Sequence, residues 1–466
     1  MSLSGARLQT QGRHDSGTCR TVSPVQRQQE ITMAQASLNF DPTVTPQAAL
    51  PLWPVDMPFA AQDDIRQIAA SIGRDHAEHA LRPPVDLLLA EPALRRGWES
   101  GRLAYAGRHR SATPQVRLWL ALRLQAWQEG RHFEQLEVTP HYLVQLTASV
   151  CPVTRETLAP PSAQAGAEQC SDSRSGQAQL SRINHDAAYA AGNLASLSHT
   201  AALAKAELRW NEALACASAC RGASHDQPAA RRAGLSANAW GRLGVLMSFV
   251  TALPHERAAR LPLLVLPPNR LRLLNPVQGL QALVTLQLAR SGWSQRMPAF
   301  EALLPSDNAR RDFKTFFMRL LTQALAAGRP DNAQAWRWAL EDAWHDPQLQ
   351  QYWTSFALQL GPTQCERLLA AGAALGLVGQ RLVVLSVEQA TEGWALDTLG
   401  YTSPTALPRQ QVAAAPASKA HELAQHDPAQ LSFGEFDQQH GGGAHKSAAP
   451  GHMHRSTPPH NLVLPA

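Results

Sequence analysis

The sequence predicts a mainly α-helical protein of several packed helical segments with disordered ends. Apolar residues recur at helical spacing over 63–133, as in Ile65, Ile68, Ala69 and Ile72, and again over 236–376. Breaks at Pro254, Pro267, Pro268, Pro276, Pro298, Pro305 and Pro330 cut the second stretch into helices joined by short loops. Both ends are polar and aperiodic. With 466 residues, 44% of them apolar, the chain is long enough for two or three domains with real cores.

Residues 1–32 are expected to form a disordered extension, and Met33, which opens the more apolar MAQASLNF, is an alternative first residue. Residues 33–147 are expected to be a helical N-terminal region, in which Trp119, Leu120, Leu122 and Trp127 read as core. Alternating β-branched residues around Thr147 to Val153 predict one or two short strands, and the Pro, Ser, Ala and Gly of Ala159 to Gly176 predict an exposed loop. A helical C-terminal domain is expected over 224–400. Within it Trp336, Leu340 and Trp344 lie four apart on one helix face, and QRLVVLSVE from Gln380 predicts a strand. From 401 to 466 the Ala, Pro, Gly and His content predicts a disordered tail. Its imidazoles, among them His452 and His454, suit adventitious metal binding.

Six scattered cysteines do not make a disulfide framework, so a reducing compartment is expected. The longest apolar runs fall short of the roughly 20 residues of a membrane helix, and the first residues lack a signal peptide's apolar core. A cytoplasmic protein with no membrane partner follows. No P-loop, dinucleotide-binding, HExxH or GxSxG pattern is present, which argues against the enzyme classes built on them.

The net charge is +5, and its distribution is more informative than its total. Between Ser224 and Phe300 nine arginines, including Arg231 and Arg232, face two acids, Asp226 and Glu256, while the whole chain has four lysines. This excess suits DNA or RNA phosphates; a solvated arginine-rich surface is the alternative.

The stretch SRINHDAAYAAGNLASLSHTAALAK, Ser181 to Lys205, carries the functional signal. Arg182 with Ile183, Tyr189 seven residues after Arg182, Gly192 with Asn193, and Lys205 twelve residues after Asn193 stand in a register that, behind the CPVT of Cys151, resembles the HNH (ββα-metal) endonuclease superfamily. The resemblance covers Cys151 to Lys205 and implies an embedded ββα module, placed at 148–210. In such a module a β-hairpin and helix cup one divalent cation, Mg, Mn or Ni, that assists phosphodiester hydrolysis of nucleic acid.

Carried onto this chain, the resemblance makes Asn193 the brace of the hairpin; Arg182 stands where more familiar members carry the catalytic histidine, so neighbouring residues must substitute, with His185 as the candidate base. Asp186 and His199 become candidate metal ligands, and Arg182 and Lys205 phosphate contacts. The chain also departs from the pattern. Ser181 stands where a carboxylate is expected and Ala202 where Asn or His is expected. Three of the four thiolates of a zinc knuckle are replaced, leaving Cys151 with Thr154, Ser198 and Ala201, so no structural zinc is expected there. Cys216 and Cys220 share a helix face and read as packing residues. The expected function is therefore that of an HNH-related nuclease with weakened or lost hydrolysis; the alternative is a non-catalytic nucleic-acid-binding or protein-interaction scaffold.

Overall fold

Short polar residues followed by proline begin many of the helices. Thr113, Thr139 and Asp346 each accept a hydrogen bond from a first-turn backbone N–H, and Pro114, Pro140 and Pro347 follow them. Such a cap satisfies a donor the helix cannot, for about 1 kcal/mol, and proline at the first position loses nothing because its N–H would be idle there. The computed structural model describes residues 59–159, 177–222, 233–326, 332–377, 383–384 and 387–403. The expected extension over 1–32, the loop from 160 to 176, Arg231, Arg232 and the tail beyond 403 lie outside the described residues.

In chain order the N-terminal helices are α1 (Phe59–Glu78), α2 (Val85–Ala90), α3 (Pro92–Ala104), α4 (Pro114–Gln128) and α5 (Pro140–Leu146). A hairpin and helix follow: β1 (Ala178–Arg182), β2 (Leu194–Ser198) and α6 (His199–Lys205). Next come α7 (Trp210–Gly222), α8 (Ala237–Phe249), α9 (His255–Ala259), β3 (Arg272–Leu273), α10 (Pro276–Leu288), α11 (Trp293–Glu301), α12 (Asp307–Ala326) and α13 (Ala333–Asp342). The last are α14 (Pro347–Ala357), α15 (Pro362–Ala374), β4 (Val383–Val384) and α16 (Val387–Ala390). The described residues are mainly helical and fall within one compact unit. None of their helices is long and apolar enough to cross a membrane.

Helices α1 and α3 touch backbone to backbone. A Cβ on Gly97 would lie 2.0 Å from the carbonyl oxygen of Ala70, so only glycine permits the approach. Arg123 of α4, only 3% exposed, ties this pair to the rest: it is ion-paired with Asp75, donates to Ser71 and stacks over Trp119. Behind the hairpin, α7 packs on α8, which is buried from Ala239 to Phe249, and α10 on α15. Phe313, Phe316, Trp344, Trp353 and Phe356 form an aromatic core between α12 and α14. The seam expected from Trp336, Leu340 and Trp344 lies along α13 and the turn after it, with Leu340 and Trp344 fully buried.

Strands β1 and β2 pair antiparallel, from Ala178 opposite Ser198 to Arg182 opposite Leu194, and β2 runs directly into α6. The connecting segment 183–193 is enclosed. Ala188 donates to the carbonyl of Trp394 (2.8 Å), and the Trp394 indole donates to that of Ala191 (2.9 Å). Tyr189 exchanges backbone bonds with His132 and Glu134, and Arg272 donates to the carbonyl of Gly192. Alanines at 187, 188, 190 and 191, each 2% exposed or less, leave room for this clasp.

Three local expectations change. Thr147 to Val153 forms no strand, only a bridge between Val150 and Thr157, because its neighbours turn at Pro152. Of the strand expected over 380–388, residues 383–384 and 387–388 are described: Val383–Val384 pairs with β3, and a helical turn begins at Val387. Tyr401, assigned by composition to the tail, is 7% exposed and bridges to Arg131, whose guanidinium lies 3.7 Å from its ring centroid.

Trp394 is fully buried and seals the clasp. Trp394→Ala is expected to lower the unfolding free energy by about 3–5 kcal/mol, with Trp394→Phe recovering part of the loss, as read by urea denaturation.

Candidate functional site

Asn193, fully buried, sits where the hairpin closes. Its side-chain oxygen accepts from the N–H of Asn184 (2.8 Å), and its side-chain nitrogen donates to the carbonyls of Asn184 (3.1 Å) and Ala188 (3.0 Å). Asparagine supplies both functions on one flat group, so it can fix both ends of an irregular loop. Asn184 extends the network by donating to the carbonyl of Val250 and accepting from the N–H of Asp186.

Arg182, at the end of β1, turns inward. It donates to the carbonyls of His185 (2.9 Å) and Ala187 (3.0 Å), pairs with Glu129 (3.3 Å) and lies 4.8 Å from the Tyr189 ring centroid. The Tyr189 hydroxyl donates to the same Glu129 carboxylate (2.8 Å). Burial, reinforced by Glu129, raises the pKa of Tyr189, so the phenol stays protonated.

His185 is surrounded by cations. The Arg131 guanidinium has only donors, so at 3.0 Å it makes His185 Nε2 the acceptor and places the imidazole proton on Nδ1. Burial, then the charges of Arg131, Arg182, Lys205 and Arg209, push its pKa down to about 3. His185 is therefore neutral at physiological pH. Its lone pair is already engaged by Arg131, so a base here would first have to release that contact.

Lys205 is 4% exposed, and its ammonium donates to the carbonyl of Ala206. Burial lowers its pKa to about 8, with Arg182 adding to the effect and Glu129 opposing it. At the mouth lie the exposed Glu207, 3.8 Å from His185, and Arg209, which pairs with Asp186 (3.2 Å). The resulting cluster is Arg131, Arg182, Lys205 and Arg209 against Glu129, Asp186 and Glu207.

The residues with expected metal roles do not gather as a set of ligands. Asp186 faces Arg209, His185 faces Arg131, and His199 lies against the side-chain oxygen of Gln179 on β1 (3.3 Å). Ser181 pairs with Ala195 in the sheet, and Ala202 offers a methyl group. Among the described residues no three of His, Cys, Asp and Glu are placed to hold a metal ion. As arranged, this donor set does not fit a hard divalent cation, because His185 and Asp186 point at guanidinium groups and His199 faces an amide oxygen.

The knuckle positions do meet in space. Cys151 Sγ accepts from the N–H of Ser198 (3.2 Å) and of Thr154 (3.5 Å), the Thr154 and Ser198 hydroxyls are 3.2 Å apart, and Ser198 Oγ caps α6 at Ala201. A thiol and two hydroxyls thus link segments 44 residues apart.

The expected arginine stripe is only partly a surface. Arg242 is buried on the carbonyl of Val153, Arg272 pairs with Glu137, Arg296 binds carbonyls after α10, and Arg257 stacks on Trp210. Arg260, Arg270 and Arg290 are exposed. Glu129, Arg131 and Tyr401 were not legible as site residues. They reach the cluster from the end of α4 and from the far end of the described chain, and no local pattern marks that approach. Comparison of the chain with protein-family models, with curated proteins and with solved structures finds no match in any of the three.

Two outcomes check this geometry. An unfolded histidine titrates near 6.5, so as pH falls from about 6.5 toward about 3 the unfolded chain takes up a proton that folded His185 refuses. Stability should drop across that window by up to about 1.4 kcal/mol per pH unit more in the wild type than in His185→Gln, as read by urea denaturation at a series of pH values. The Thr154→Cys, Ser198→Cys, Ala201→Cys variant is expected to gain the visible Co²⁺ absorption of a tetrahedral thiolate site. A folded variant without that spectrum would place the four positions beyond ligand distance.

Proposed function

We propose that this chain is a degenerate member of the HNH (ββα-metal) superfamily that binds nucleic-acid phosphates at its hairpin and helix, with the ancestral metal-dependent hydrolysis lost or weakened. The observation that carries this reading is the set of four cations, Arg131, Arg182, Lys205 and Arg209, around the neutral His185. Set against the carboxylates of Glu129, Asp186 and Glu207 they leave one positive charge in excess, which suits a phosphate oxygen. The strand–strand–helix order, the Asn193 brace and the meeting of Cys151, Thr154 and Ser198 across the chain support the family assignment.

Exposed Arg209 is the first contact for a strand, and Arg260, Arg270 and Arg290 extend the positive surface available to it. Burial keeps the Lys205 pKa near 8, and an approaching phosphate pushes it back up, so binding takes up a proton. Affinity accordingly falls as pH rises through about 8. A cytoplasmic setting belongs to the same reading, in keeping with the free, buried thiols of Cys151, Cys216, Cys220 and Cys365.

The test is fluorescence anisotropy of labelled single- and double-stranded DNA and RNA at a series of salt concentrations, alongside a plasmid-nicking assay with Mg²⁺, Mn²⁺ or Ni²⁺ and with EDTA. Binding should weaken with salt, and Arg209→Ala should reduce affinity for all sequences alike and lower the log–log salt slope by about one. Absence of binding by folded protein at low salt overturns the reading. Cleavage that disappears with EDTA and in Asp186→Asn would establish the catalytic alternative.

A further inference from the structure

A cavity lies along the second strand of the hairpin. It encloses about 270 Å³ between the Cys151 segment, the Ala195 and Ser196 portion of β2, the 267–269 turn and α13. Its size is just under the roughly 300 Å³ at which pockets for drug-sized ligands begin, so its occupant is about as large as one heterocyclic ring system. Of its lining residues Thr147, Ser149, Asn269 and Gln334 are exposed.

The cavity has a flat wall and a ring of unused polar atoms. Trp338 lines it, with the Arg155 guanidinium 5.5 Å from its ring centroid. Asn269 spends its side-chain nitrogen on the carbonyl of Gln145, leaving its oxygen without a partner among the described residues. Arg337 spends Nε on Glu341 and one Nη on the carbonyl of Leu266, leaving its other Nη idle. Neither the Trp338 indole N–H nor the Gln334 amide bonds a described residue.

Charge narrows the ligand class. Glu341, 3% exposed, is held by the N–H of Leu266, by Arg337 and by Arg155, and Asp342 takes the rest of the Arg155 fork. Glu341 and Asp342 are paired with Arg155 and Arg337, and Arg242 beside them is spent on the carbonyl of Val153, so the charged groups at the cavity are already engaged with one another and with the main chain. An uncharged planar ligand with donors and acceptors on its edge suits these walls, since amide and guanidinium groups read base edges and indole stacks on base faces.

We infer that this cavity is a nucleobase site, taking one unstacked base against Trp338 with its edge toward Asn269, Gln334 and Arg337. Its occupancy by a base of a bound strand rests on the reading above; its occupancy by a free nucleoside does not. Arg182 pairs with Leu194, and Ala195 beside it borders the cavity, so the hairpin has the cationic cluster at its closed end and the base site along its second strand.

The test uses the full chain and 2-aminopurine, whose emission is quenched by stacking on an aromatic ring. Two probes are titrated: 2-aminopurine riboside, and a single-stranded oligonucleotide carrying 2-aminopurine. The expected result is several-fold quenching by the wild type, lost in Trp338→Ala, retained in Trp338→Phe and weakened in Gln334→Ala, an exposed position where the fold is not at risk. If the riboside is quenched in this pattern while the oligonucleotide does not bind, the base site stands and the strand-binding reading falls. If the oligonucleotide binds by anisotropy and neither probe is quenched, or if quenching is equal in Trp338→Ala, the base site is overturned and phosphate binding is untouched.

Discussion

Guanidinium groups bonded to main-chain carbonyl oxygens hold the irregular parts of this protein in place. Arg182 secures the hairpin connection through the carbonyls of His185 and Ala187, Arg131 secures the last described turn through Leu399, and Arg242 reaches Val153. Arg337 does the same for Leu266, and Arg296 for the turn after α10. Loops carry carbonyls that no ladder satisfies, and burying one unpaired costs about as much as losing a hydrogen bond. A fork of five donors that is weakly hydrated can serve two or three of them at once, which an ammonium on a flexible stem does poorly. The arginine-rich, lysine-poor composition is thereby explained: much of the positive charge is internal fastening.

This explains what was legible in the sequence. Helices announced themselves through their periodic apolar faces and through the prolines that break them, because those signals are local. The core positions of Trp127, Leu340 and Trp344 were equally readable. The Thr147 to Val153 segment misled because β-branched residues there serve packing beside the knuckle rather than a ladder. Tyr401 misled because composition averages over a tail, whereas one aromatic ring under one guanidinium is enough to anchor a chain segment.

The site was legible only where its parts are close in sequence. Arg182, His185, Asp186, Asn193, His199 and Lys205 fall within one stretch, and the structure brings all of them except His199 around the closed end of the hairpin. Their electrostatics were not legible, since these depend on Glu129 and Arg131 from α4 and on the depth at which Lys205 is buried. The closed end of the hairpin and the cavity along its second strand also differ in kind. One concentrates positive charge around a neutral imidazole; the other has its charged groups already paired and is lined by an indole and by polar groups that bond no described residue.

The clasp over segment 183–193 also bears on how the protein is made. The indole of Trp394 and the carbonyl it meets on Ala191 are 203 positions apart, and Arg131 and the carbonyl of Leu399 are 268 apart. Contacts at such separations form late, because chain closure must precede any gain from them. On the ribosome the hairpin emerges long before its cover, at roughly 5–20 residues per second. For that interval the small alanines of the connection and the cationic cluster stand open to solvent. The nascent chain therefore passes through a stage in which this cationic cluster is exposed before it is framed, until the segment carrying Trp394 and Leu399 returns to close it.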